Sequence, residues 1–307
     1  MNIEYQFFRQ KNIKPLSNFF NKYYKSSFNK NAVEWEFKKN PFGSPKILLG
    51  KINNKIIAVG VAIPIKVNFS NKIEKIYRIQ NVLVDHNFRK KGIFQKILRN
   101  LDDYFIKKNI KTISFPNELS IKAFINNKWK KLLNINFLVK KIKDNLIPKT
   151  TYKYKRIKKF TKNHYNFFKK TKKLNYINIE CNEDYLNWRF LTNKRSNFDC
   201  YEIFDNKKIL AILVMKKYKI KNESSGQLCL QISKKKDLPK IINFCENYCL
   251  KHNLNYLNLW SNKYDKYFIK NFGFKQIFQK ERFMIINNFK KEIAKKINLA
   301  MHYSDVF

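Results

Sequence analysis

Apolar residues recur along the chain at two periods. From Phe94 to Lys107 they fall at 94, 97, 98, 101 and 105, and from Leu238 to Leu250 at 238, 241, 242, 245 and 249. Both spacings predict a helix with one apolar face. Elsewhere, apolar runs flank a short polar pair. "KILLGKINNKIIAVGVAI" surrounds Asn53-Asn54, and "CYEIFDNKKILAILVM" surrounds Asp205-Asn206. Asn and Asp tolerate left-handed turn conformations, so each run predicts a β-hairpin. Further strands are predicted at "IEYQFF", "RIQNVLVD" (78–85), "TISF", "YKYKRIKKF", "GQLCLQIS" (226–233) and "YLNLW", with helices over Pro15–Tyr24 and ahead of Cys181. Alternating strands and helices with interspersed hairpins imply a mixed α/β fold.

The pattern repeats. "VEWEFKKN" (Val33–Asn40) returns as "LNWRFLTN" (Leu186–Asn193), aligning Trp35 with Trp188, Phe37 with Phe190 and Asn40 with Asn193. "KAFINNKWK" (Lys122–Lys130) is echoed by "KYFIKNFGFK" (Lys266–Lys275). Order is kept across both halves, which predicts two domains of similar construction. Pro148 and its polar neighbours in "KDNLIPKTTYKY" (143–154) break the pattern, giving expected domains 1–148 and 149–307.

Hydrophobic residues make up 44% of the 307, enough to build a core and exclude wholesale disorder. Lys and Arg total 65 against 22 Asp and Glu, a net charge of +43. AT-rich codons account for part of the lysine excess, but they encode Asp and Glu as well. A field this positive attracts phosphates in general, whether on nucleotides, RNA, DNA or lipid head groups, and does not choose among them. The five cysteines (181, 200, 229, 245 and 249) are odd in number. Cys245 and Cys249 lie one helical turn apart, but no second Cys/His pair completes a metal set, so buried thiols and no metal are expected. The N-terminus "MNIEYQFFRQ" has no signal-peptide pattern, and the apolar run "IIAVGVAIPI" is too short to span a bilayer. A cytoplasmic protein is expected.

The stretch with the sharpest chemistry is "VDHNFRKKGIFQKIL" (84–98), where a strand meets a helix. The start of a helix offers unpaired N–H groups and a partial positive charge, and a glycine lets a phosphate approach them. Arg89, Lys90 and Lys91 stand where cations oppose the helix dipole, which a plain surface helix does not explain. A pyrophosphate fits such a site.

These residues resemble the cofactor loop of the GNAT acyltransferase family, Arg/Gln-x-x-Gly-x-Gly/Ala between a strand and a helix. Arg89, Lys90, Lys91, Gly92, Ile93 and Phe94 fill the pattern, with Phe94 replacing the last small residue. "FPNELSIKAFINNKWKK" (115–131), "WEFKKNPFGSP", "YLNWRF" and the ending "HYSDVF" resemble segments of tandem GNAT proteins associated with surface-polysaccharide gene sets. The resemblance implies two tandem GNAT-like domains, each a mostly antiparallel mixed sheet flanked by helices. It implies acetyl-CoA as acyl donor, its pantetheine arm bonded to the main chain of a splayed strand, Asn81 to Val84, with Val82, Leu83 and Val84 as the cofactor-binding residues. The implied activity is N-acyl transfer to an amine acceptor, with a nucleotide-linked amino sugar as the acceptor that the family context suggests. The second half carries "QISKKKDLPKII" at the matching place, lacks the Arg-x-x-Gly pattern, and reads as a degenerate domain.

The family's acid and base are not where expected. Gln80 and Asn81 replace the usual strand carboxylate, and Phe124 replaces the usual tyrosine. Asn117 is a candidate contact to the reacting groups, or a helix N-cap. Asp305 and the Phe307 carboxylate are candidates for a base delivered by the tail, against a loose end. Asp85 reads as a loop cap rather than an orienter of the substrate amine, His86 as a lone surface histidine rather than a base, and Trp35 and Trp188 as core or pocket walls rather than sugar-stacking platforms; Glu34 and Glu36 read as a solvated face, with one of them facing the acceptor site as the alternative. Two rivals stay open. One is a tRNA-dependent aminoacyl transferase, suited to the charge. The other is a non-catalytic basic scaffold binding nucleic acid without sequence preference.

Overall fold

The computed structural model describes residues 2–8, 13–24, 28–69, 71–143, 152–172, 176–205, 208–220, 223–261, 265–277, 283–287 and 300–303. The chain forms two compact units, one of Met1–Asn134 with Lys280–Ile297, the other of Ile135–Gln279 with Asn298–Phe307.

The first unit runs β1 (Glu4–Phe7), α1 (Lys14–Tyr24), α2 (Lys30–Lys38), β2 (Lys46–Ile52), β3 (Lys55–Phe69), β4 (Lys72–Val84), α3 (Ile93–Lys107), β5 (Thr112–Ser114), α4 (Glu118–Asn126) and β6 (Lys130–Asn134). Its strands lie in the order β1-β2-β3-β4-β5, then Phe283–Asn287, then β6. β4 and β5 run parallel; the other neighbours in this order run antiparallel. Asn53 and Asn54, both with positive φ (46° and 60°), make the two-residue turn between paired Ile52 and Lys55, as the asparagine pair predicts. The sheet is buried on both faces. Ile93, Ile97, Leu98, Leu101 and Phe105 of α3 pack with Ala58, Ala62 and Ile79 on one face. Leu16, Phe19 and Phe20 of α1 and Val33 and Phe37 of α2 pack with Val59, Val61 and Ile63 on the other. β3 feeds both clusters because alternate strand residues point to opposite faces. At Gly60 the helix comes closer than any side chain allows: a Cβ there would lie 2.5 Å from Ile97 and 2.8 Å from Leu101.

The second unit runs β7 (Asn136–Lys141), β8 (Lys153–Arg156), α5 (Lys162–Thr171), β9 (Asn178–Ile179), α6 (Glu183–Leu186) with a π-helical turn over Asn187–Leu191, β10 (Asp199–Asp205), β11 (Lys208–Ile220), β12 (Glu223–Ser233), α7 (Leu238–Lys251), β13 (Tyr256–Ser261), α8 (Asp265–Phe272) and β14 (Lys275–Ile277). Its sheet order is β14-β7-β13-β12-β11-β10-β8, with β12 and β13 parallel. Helix α7 buries the predicted stripe Leu238, Ile241, Ile242, Cys245 and Cys249 against it. The strand Phe283–Asn287, β15, follows in sequence but belongs to the first sheet.

The compact units divide after Asn134, after Gln279 and after Ile297, where the sequence pattern leads one to expect a single break at 148/149. β7 precedes the Pro148 stretch yet pairs with β13 and β14, and β15 lies between β5 and β6. Turn-forming residues mark where a chain bends, and sheet pairing decides which unit a strand joins.

Candidate active site

The first sheet opens at one point. β4 pairs with β5 at Tyr77, Arg78 and Ile79, opposite Thr112, Ile113 and Ser114, and there the pairing stops. β4 continues to Val84 against β3 alone, so among the described residues no strand pairs with its other edge from Gln80 to Val84. Ser114 Oγ donates to the Ile79 carbonyl at 3.0 Å and pins the apex of this fork. Val82, Leu83 and Val84, the predicted cofactor strand, form its open edge.

A β-bulge sits just past the apex. Val61 pairs with Gln80 and Val59 with Leu83, so Asn81 and Val82 together face Gly60. Asn81 takes a left-handed φ of 51° inside the strand. Tyr77, Ile79, Val82 and Val84 pack with α3, while Gln80 and Asn81 are bonded to α2 and α1. The extra residue thus sets two consecutive polar side chains on one face.

The other wall of the fork is the turn into α3. Asp85 caps residues 86–88, its Oδ1 accepting from Asn87 N–H at 3.1 Å and its Oδ2 from Lys22 Nζ at 2.7 Å. Burial alone would raise this carboxyl, but Lys22 and the Asn87 N–H outweigh burial and hold it below the ordinary range. Arg89 Nε donates to the Val84 carbonyl at 3.2 Å, folding the turn back on the end of β4. Lys90 (φ 61°) and Gly92 (φ 71°) are both left-handed, and Gly92 caps α3 with open space where its Cβ would be. Arg89, Lys90, Lys91 and Gly92 are exposed and Ile93 is buried. The first α3 bond within this turn is Lys96 N–H to Gly92 C=O, which leaves the N–H groups of Ile93, Phe94 and Gln95 outside the helical ladder. The helix itself is held by a polar ladder: Gln95 bonds to Asn127, Asn127 Nδ2 reaches Asp102 at 3.4 Å, and Trp129 Nε1 donates to Asp102 at 2.8 Å.

On the bulge's polar face lies a buried carboxylate. Glu36 of α2, expected on a solvated face, is 3% exposed and accepts from Gln80 Nε2 at 2.6 Å. Gln80 Oε1 in turn accepts from Arg78 Nε at 2.7 Å. The solvated reading fails because Glu36 follows Ala32 and Val33 by four and three residues, on their inward face. Tyr24 donates to Asn81 Oδ1 at 3.2 Å on the same side.

The remaining predicted residues are placed as follows. Asn117 is the N-cap of α4, its side chain accepting from Ser120 N–H at 3.1 Å. Phe124 is buried edge-to-face against Trp129. His86 is exposed and lies 3.5 Å from Asp85. Trp35 and Trp188 are buried in their units. All five cysteines are free and buried, and among the described residues no His/Cys/Asp/Glu group could hold a metal ion. Nor is any described helix long and apolar enough to cross a membrane. Asp305 and Phe307 lie outside the described residues.

The second sheet has its own fork and bulge. β12 leaves β13 after Leu228, and Val214 pairs with Leu230 but Met215 with Leu228, so Cys229 is the extra residue. Here the bulge is filled. His302 Nδ1 lies 3.3 Å from the Cys229 carbonyl, and Met301 and His302 are both buried. The helix start also differs: Asp237, a buried residue, stands at the N-cap position of α7 without a side-chain cap bond, and Pro239 follows.

No protein-family model matches the chain and no curated protein matches it. Solved structures do. A GCN5-related N-acetyltransferase from Anabaena variabilis aligns over 93% of this chain and 72% of its own, with TM-score 0.70 at 11% identity. An Enterococcus faecalis protein, a probable N-acyltransferase, aligns over the same shares with TM-score 0.70 at 10% identity. Saccharomyces cerevisiae N-myristoyltransferase with bound myristoyl-CoA aligns over 94% of this chain and 79% of its own, with TM-score 0.65 at 13% identity. The fold is that of the GCN5-related N-acyltransferases. Within this fold, β4, the turn at Arg89–Gly92 and α3 follow in the strand–loop–helix order predicted from the sequence. The sequence offers Glu36 as facing the acceptor or lying on a solvated face, includes Asn81 only through the main chain of the cofactor strand, and gives no signal for Tyr24. The available signal was Glu36's spacing to Ala32 and Val33; the bulge that brings Asn81 beside Tyr24 has no local signature.

Proposed function

We propose that the chain is an acyl-CoA-dependent N-acyltransferase with its working site in the first unit. The observation that carries this reading is the fork after Ile79/Ser114 beside a turn whose cations are exposed and whose N–H groups lie outside the helical ladder. Acyl-CoA is the substrate that fits both. Its phosphates would sit on the turn at Arg89, Lys90, Lys91, Gly92, Ile93 and Phe94, where helix-end N–H groups and charge favour an anion. Its pantetheine amides would take the strand bonds that β5 gives up, along Val82, Leu83 and Val84. The acyl carbonyl then lies near the bulge, and the acceptor amine on the face of Glu36 and Tyr24.

Glu36 is the general base in this scheme, accepting the amine proton directly or through a water. The amine nitrogen attacks the thioester carbon, the C=O pair moves onto oxygen, and its return expels CoA as the thiolate. The thiolate takes its proton from solvent, since Phe124 offers none. The turn, fork, bulge and Glu36 all belong to the first unit. We assign the second unit to a GNAT-like domain without a donor site, because Asp237 and His302 occupy the matching positions. Acetyl-CoA is the expected donor and an amino sugar, carried on a nucleotide, the expected acceptor; the positive charge favours a phosphorylated one.

Calorimetric titration of acetyl-CoA and of myristoyl-CoA into the protein tests the donor. Saturable binding that weakens in an Arg89→Ala, Gly92→Glu double variant supports the reading. Absence of binding to both sinks it. The net charge of +43 favours one other reading, an acyl group carried on tRNA. A charged tRNA bound tightly in place of acyl-CoA would establish that alternative.

A further inference from the structure

Three cations meet in the second unit. The repeat that aligns Trp35 with Trp188 puts Arg189 at the position of Glu36, so a buried guanidinium stands where the first unit buries a carboxylate. Arg195 lies in the segment that follows, ahead of β10, and Lys216 lies on β11. Met215 packs with α7, so strand alternation turns Lys216 to the opposite face. There its Nζ donates to Ser196 Oγ at 3.1 Å and lies 5.9 Å from the centre of the Phe198 ring, with the residue half-buried. Burial, reinforced by the Arg189 and Arg195 guanidiniums, holds the amine below the ordinary lysine range. Cys229 pulls the other way only as a thiolate, and burial pushes its thiol up to about 12.

The cluster acts on this amine in two ways. A third positive charge is disfavoured beside two others in a half-buried place, so more of Lys216 is neutral, and the neutral amine is the nucleophile. The guanidiniums keep their charge and attract anions. We propose that Lys216 is an acylation site whose ε-amino group takes the acyl group of an anionic acyl donor, a thioester of coenzyme A or an acyl phosphate. The lone pair on Nζ forms the C–N bond as the carbonyl π pair moves onto oxygen. That pair reforms C=O as the bond to sulfur, or to the phosphate oxygen, breaks and the leaving group departs with its electrons. The proton shed by Nζ goes to water. The amide formed is uncharged, so acylation also removes one of three mutually repelling cations. The site lies in the second unit and needs no donor site in the first.

The test compares one lysine with itself. The whole protein, native or unfolded in urea, is incubated at neutral pH with acetyl-CoA and separately with acetyl phosphate. Mass spectrometry of its digest then gives the acetylation rate at Lys216. A rise of about tenfold in neutral amine is partly offset by lower intrinsic nucleophilicity, as it is for thiols, which leaves a gain of about threefold. Folding is therefore expected to speed Lys216 about threefold or more, where burial alone would slow it. Arg195→Gln removes one cation and is expected to slow native Lys216 about threefold, with the exposed Lys217 beside it unchanged. Reaction with only one of the two donors supports the assignment and identifies the source of the acyl group. A native rate at or below the unfolded rate with both donors overturns the proposal. So does a native rate that Arg195→Gln leaves unchanged, since the cluster then has no part in it.

Discussion

Gln80 links Glu36 to Arg78: its Nε2 donates to the Glu36 carboxylate at 2.6 Å while its Oε1 accepts from Arg78 at 2.7 Å. A carboxamide held at both ends cannot flip, so one oxygen of the buried carboxylate is fixed in direction. Glu36→Gln keeps the shape and removes the base. It is expected to slow acyl transfer about 10²-fold or more, the usual contribution of a general base, with acyl-CoA affinity unchanged. Single-turnover kinetics beside calorimetry separates the two quantities.

The α3 turn should act as an exposed anion site. Arg89→Ala removes one charged donor and is expected to weaken CoA binding about tenfold, in the range of a hydrogen bond to a charged group. Arg89, Lys90 and Lys91 are exposed, so affinity should also fall as salt rises. Titrations of the wild type and the variant at low and high ionic strength check both, and the variant should show the shallower salt dependence.

Two glycines should fail for different reasons. Gly60→Ala drives a Cβ to 2.5 Å from Ile97 and 2.8 Å from Leu101, both on α3. Overpacking of this kind costs about 1–3 kcal/mol. Gly92→Ala meets nothing within 4 Å, so only its left-handed backbone opposes it, at about 1–2 kcal/mol. Thermal melts should show both losses. The Gly60→Ala loss should be relieved by trimming Leu101 or Ile97, and the Gly92→Ala loss should not.

The thiols should be silent in the folded protein. Burial pushes Cys200, Cys229 and Cys249 up to about 12. A thiol near 8.5 when unfolded and near 12 when folded stabilises the neutral, folded state below pH 8.5. That contribution declines as pH rises from there towards 12. Native protein at pH 8 is therefore expected to resist a thiol reagent that labels all five cysteines once the chain is unfolded. Urea midpoints should decrease through the alkaline range.

Local elements were legible in the sequence because they depend on local chemistry. The apolar periods of α3 and α7 and the left-handed asparagines of the β2–β3 turn are each contained in a few residues. The Arg89–Gly92 turn likewise declared itself through a glycine and cations at the wrong end of a helix. Glu36 was misread because its neighbours Glu34 and Lys38 suggest a wet face, while three-dimensional packing buries Trp35, Glu36 and Phe37 in succession. Asn81 and the exchanged strands β7 and β15 depend on which strand lies beside which. Such pairings join residues far apart in sequence and leave no periodic trace in either partner.

The placement of β15 also fixes an order of events during synthesis. β5 and β6 of the first sheet are both made by residue 134, yet the strand between them spans 283–287. A nascent chain emerging from the ribosome holds its first sheet with a vacancy one strand wide until residue 287 has been translated. The two units therefore cannot mature one after the other, as domains strung along a chain usually do. A ribosome stalled before codon 283 would display an open sheet edge, which is where a chaperone would be needed.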